Sequence, residues 1–91
     1  MRLPPFYARR IQHHLFEKLM RQVIPYAFHN SKSLEEFKYV LVKDTLIGYI
    51  DLKYDINVNE LPQEDNEKFI SYMIQQYDPL LTMYYRNSKK K

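Results

Sequence analysis

Apolar and polar residues alternate most regularly between Phe37 and Asn59, FKYVLVKDTLIGYIDLKYDINVN. Leu52, Tyr54 and Ile56 fall on one side and Asp51, Lys53 and Asp55 on the other, the period of two that a half-buried strand requires. Tyr39, Val40 and Val42 add the β-branched and aromatic density that strands favour. The pattern predicts an antiparallel hairpin, with strands over 37–43 and 46–54 and a tight connection at Asp44-Thr45. A rival reading carries a helix on to Lys43, because Leu34, Phe37 and Leu41 also have helical spacing. Gly48, inside the second run, predicts a bulge or a close backbone approach.

On either side of this stretch the spacing is helical. Ala8, Ile11, Leu15, Phe16, Leu19 and Val23 recur at three- and four-residue steps, which predicts an amphipathic helix from Phe6 to Val23 or Ile24. Pro25 is expected to end it, by removing a hydrogen bond and clashing with the preceding turn. Ser33 and Glu36 have the spacing of a capping box. Pro62, followed by the acids Glu64, Asp65 and Glu67, predicts the start of another helix that runs to about Gln76, with Phe69, Ile70, Met73, Ile74 and Tyr77 inward. Asp78-Pro79 reads as a fresh N-cap and first turn, opening a short helix over 79–86. The fold class expected is therefore α+β: a long N-terminal helix, a two-stranded antiparallel β-hairpin and two C-terminal helices. They would form a single small domain over residues 1–91 with a basic tail at 87–91.

Composition narrows the function more than the fold. With 91 residues and a single glycine, the chain has room for one small core. It has no cysteine, which excludes disulfides, thiolate metal sites and a cysteine nucleophile. Scarce glycine and abundant lysine, asparagine, isoleucine and tyrosine suit an AT-rich coding genome, such as that of a low-GC bacterium or its phages. No run of 18 apolar residues is present, so no membrane span is expected. A cytoplasmic location is predicted. The arginine-bearing N-terminal stretch, free of acid before Glu17, leaves a mitochondrial location as the alternative.

Candidate chemistry is sparse. His13 and His14 are adjacent, so on a helix they diverge by about 100° and cannot chelate as an i,i+4 pair. No nucleophile elbow surrounds any serine, and one glycine cannot build a phosphate-cradling loop. No catalytic residue, metal, cofactor or small-molecule substrate is expected. Tyr39-Val40-Leu41-Val42-Lys43-Asp44, followed by Leu46-Ile47-Gly48-Tyr49-Ile50, resembles the strand–turn–strand of GNAT-type acetyltransferases. The resemblance covers about a dozen residues, and the glycine loop that cradles coenzyme A in that family is missing here. It implies a hairpin and no activity.

Two binding roles remain. Nine tyrosines and five phenylalanines are many for so small a chain to hide. An aromatic hairpin face with exposed edges predicts a protein-binding module, an accessory subunit or an inhibitor, with another protein or a second copy as partner. Its candidate interface residues are Tyr39, Ile47, Tyr49, Tyr54, Tyr84 and Tyr85. The alternative is a nucleic-acid-binding accessory protein. Net charge is only +3, but it is concentrated at the ends. Arg2, Arg9, Arg10, Lys18, Arg21, Lys89, Lys90 and Lys91 are the candidate phosphate contacts.

Overall fold

A computed structural model describes residues 11–55, 60 and 62–90. Three helices account for almost all of them: α1 (His13–His29), α2 (Leu34–Tyr54) and α3 (Gln63–Lys89). Among the described residues there is no strand, and the expected α+β class with its hairpin gives way to an all-α bundle. The likeness to acetyltransferases rested on that hairpin and falls with it.

The segment expected to form two strands is one helix of 21 residues. Its buried residues come in adjacent pairs every fourth position: Phe37-Lys38, Leu41-Val42, Thr45-Leu46 and Tyr49-Ile50. Pairs at that interval trace a wide stripe on a helix, and on a strand they would point to both faces. The proposed hairpin turn also lacked suitable residues. A two-residue turn needs positive φ, which Asp44-Thr45 supplies poorly compared with Asn-Gly or Asp-Gly. Thr45 sits inside the helix instead, its hydroxyl donating to the Leu41 carbonyl at 2.7 Å.

Both ends of α2 are determined locally. The Ser33 Oγ accepts from the Glu36 N–H at 3.2 Å, as the capping box requires. The Glu36 carboxylate reaches back one residue further, to the Lys32 N–H at 3.2 Å. At the other end Asp55, expected to continue the second strand, adopts a left-handed conformation with φ 55° and closes the helix by donating to the Asp51 carbonyl.

Neither proline interrupts its helix as the sequence suggests. Pro25 lies within α1, which continues to His29, and Pro79 lies within α3, which runs unbroken to Lys89 through the residues expected to form a tail. Each proline is exposed, so its ring clears the core. Packing carries the chain past them. Beyond Pro25, Ala27 is fully buried and Phe28 packs on Phe37 and Tyr85. Beyond Pro79, Leu81 is fully buried. Burying one such side chain is worth about 1.5–3 kcal/mol, comparable to the cost of a helical proline.

The helices run up, down and up. Phe16 near the start of α1 meets Tyr49 near the end of α2, and also Phe69 and Tyr77 of α3. At the opposite end Phe28, Phe37 and Tyr85 form a second aromatic group. Both α1 and α3 pack chiefly on α2 and only lightly on each other. Helix α2 is thus the centre of the bundle, flanked on two sides.

Candidate interaction surface

The six aromatic and aliphatic residues expected at an interface do not share a face. Tyr49 is fully buried. Its ring lies 5.8 Å from that of Phe16, and its hydroxyl accepts from the Gln12 N–H at 2.9 Å. It is a core residue and offers nothing to a partner. Tyr39 is half-buried between α2 and α3, its hydroxyl donating to Glu67 at 2.8 Å. That bond to a carboxylate, with some burial, raises the Tyr39 pKa. Tyr54, Tyr84 and Tyr85 are half-buried against the core. Burial raises the Tyr84 pKa, while the nearby Arg21 pulls it down.

Ile47 alone of the six is exposed. It lies on the outer side of α2 and shares that side with Leu52, which the sequence reading had turned inward. Leu52 is 63% exposed and Ile47 39%. Tyr26 on α1 and Tyr72 and Met83 on α3 are the other large apolar side chains left in solvent among the described residues.

The outer side of α2 is also where the helix is least regular chemically. Gly48 stands one residue beyond Ile47, and a Cβ placed there would meet nothing within 4 Å. Its φ is not positive, so the expected bulge is absent and the position is ordinary helix. One turn earlier, Asp44 has a buried carboxylate oxygen, Oδ2, that finds no hydrogen-bond partner. Desolvation raises the Asp44 pKa, against a smaller opposing effect from Lys43.

The basic candidates are dispersed. Lys18 and Arg21 are exposed on α1, and Lys89 and Lys90 are exposed at the end of α3. Lys89 Nζ sits 4.9 Å from the centre of the Tyr85 ring, a cation–π contact. Lys90 borders an open groove along α3 that also includes Pro79, Met83 and Arg86. Arg2, Arg9, Arg10 and Lys91 lie outside the described residues.

The titratable pairs in the bundle connect helices. His13 Nδ1 is 2.6 Å from the Tyr77 hydroxyl, whose pKa is pushed up to about 12, chiefly by burial. Among the described residues no group of three or more His, Asp or Glu is arranged to hold a metal ion. No described helix is long and apolar enough to cross a membrane. No family model, curated protein or solved structure matches the chain.

Proposed function

We propose that this protein is a non-enzymatic protein-binding module, an accessory subunit or an inhibitor, which binds through the outer side of α2. The observation that carries the reading is the exposure of Ile47 and Leu52 on the helix that otherwise forms the centre of the core. A helix that is apolar almost all round is normally covered all round, and this one is flanked on two sides. Aliphatic side chains beside charged neighbours, here Lys43, Asp51 and Lys53, fit an interface with an apolar centre and a polar rim.

The test is chemical cross-linking in an extract of the source organism, comparing the wild type with Ile47→Asp and Leu52→Asp, with circular dichroism run on each. The expected result is a cross-linked species that both variants lose while keeping full helicity. A wild-type chain that cross-links to nothing, itself included, overturns the reading. Nucleic-acid binding ranks second, because the described cations are divided between α1 and the far end of α3 and Lys89 already lies over Tyr85. It requires an affinity that falls steeply with salt and is lost in a Lys18→Ala, Arg21→Ala double variant.

A further inference from the structure

Residues four apart on a helix lie in rows, and the outer side of α2 carries two of them: Lys43-Ile47-Asp51 and Asp44-Gly48-Leu52. The first row is exposed throughout, and so are Gly48 and Leu52 of the second. Gly48 interrupts its row with a notch. Nothing inside the chain asks for glycine there, since its φ is not positive and an added Cβ would meet empty space. Glycine within an exposed helix destabilises it relative to alanine. What the missing side chain provides is room for a second backbone to come close.

The charges on the first row say which one. A two-fold axis passing through Ile47 and perpendicular to α2 sets each residue before Ile47 opposite the equivalent residue after it on a second, antiparallel helix. Lys43 stands four residues before Ile47 and Asp51 four residues after. Each copy's Lys43 would therefore face Asp51 of the other, once on either side of an apolar centre. A parallel arrangement would set like charge against like. The row is complementary to itself in one orientation only.

We propose that α2 pairs antiparallel with α2 of a second copy of this chain about an axis at Ile47. Ile47 and Leu52 lie at the centre, the Gly48 notch allows close approach, and two Lys43–Asp51 pairs fix the register. This rests on the protein-binding reading above and names the partner.

The experiment is sedimentation equilibrium of the full chain from micromolar to 100-micromolar concentrations, with helicity checked by circular dichroism. The wild type is expected to dimerise. Lys43→Glu and Asp51→Lys should each weaken the dimer at least tenfold, by placing like charges opposite each other twice. Mixing the two variants should restore it, because both sides of the mixed dimer again carry opposite charges. Gly48→Gln should raise the monomer's melting temperature by about 4–8 °C through helix propensity while abolishing the dimer.

A wild type that stays monomeric at the highest concentration overturns the proposal. If Ile47→Asp nevertheless removes a cross-linked partner, a different protein occupies the face and the protein-binding reading stands. If Ile47→Asp instead lowers the melting temperature of that monomer, the chain's own residues cover the face and both readings fall. A dimer indifferent to both charge reversals places the contact elsewhere and also overturns the proposal.

Discussion

The Lys38 ammonium of α2 reaches across to the Asp78 carboxylate of α3, although Asp78 directly precedes a proline and has the sequence context of a helix cap. Lys38 is 7% exposed, and Glu35 at 3.8 Å offers it a second, weaker partner. Removing the carboxylate would leave an ammonium in the helix interface with little compensation. Asp78→Ala should therefore destabilise the bundle by about 1–3 kcal/mol. Lys38→Met, which removes the charge and keeps the stem, should be near neutral. Urea unfolding of the two variants checks the asymmetry.

Tyr49 makes a second, sharper prediction. Tyr49→Phe keeps the ring against Phe16 and loses only the acceptor for the Gln12 N–H, at a cost of about 1 kcal/mol. Tyr49→Ala empties the core between α1 and α2 and should cost about 3–5 kcal/mol. Thermal unfolding distinguishes this from an interface role, which would leave the melting temperature of both variants unchanged.

The prolines are expected to be dispensable for stability. Pro79 is exposed within α3 and deprives the Gln75 carbonyl of its helical donor. Pro79→Ala restores that donor, and should raise stability by up to about 3 kcal/mol. A lower melting temperature in this variant would mean that the proline shapes contacts along the groove beside Met83 and Arg86.

Asp44 predicts a pH dependence. Desolvation raises its pKa, so the folded chain holds this proton more tightly than the unfolded chain does. Ionised at neutral pH, the carboxylate subtracts from stability, and the penalty fades as pH falls through the folded pKa. Asp44→Ala should thus melt higher than wild type at pH 7. Its advantage should shrink towards pH 3, where only the gain in helix propensity remains. Melting temperatures at the two pH values check both sign and slope.

The helical ends were legible in the residues where a single local interaction decides the conformation. Ser33 and Glu36 form their cap, and Glu64 and Asp65 occupy the first turn of α3. The middle was misread because two periods coexist in it. The alternation from Asp51 to Ile56 is genuine, but it covers the last turn of α2 and its exit, where packing is weakest. The stronger signal was the set of doublets from Phe37-Lys38 to Tyr49-Ile50, in which a lysine and a threonine stand at core positions and hide the stripe. β-Branched residues such as Val40, Val42 and Ile50 were given their intrinsic preference, which tertiary packing on two neighbours overrides.

The prolines misled for a related reason. Taken alone, Pro25 and Pro79 end a helix, and what lies beyond them decides otherwise: Ala27, Phe28 and Leu81 bury against α2 only if the helix continues. Of the candidate interface, the sequence identified Ile47 and missed Leu52. The reason is that strand geometry put the two on opposite faces, and on a helix they share one side. Tyr49 was assigned to the surface by the same alternation.

The chain contains no tryptophan, so its near-ultraviolet emission is that of tyrosine alone. The two ring groups at opposite ends of the bundle, one around Phe16 and the other around Phe37, share no member but are both anchored on α2. A fluorescent indole substituted for Phe16 in one variant and for Phe28 in another would watch each pole separately. Because a single rod threads both, the two signals should vanish over the same temperature interval, the mark of a molecule that melts as a whole.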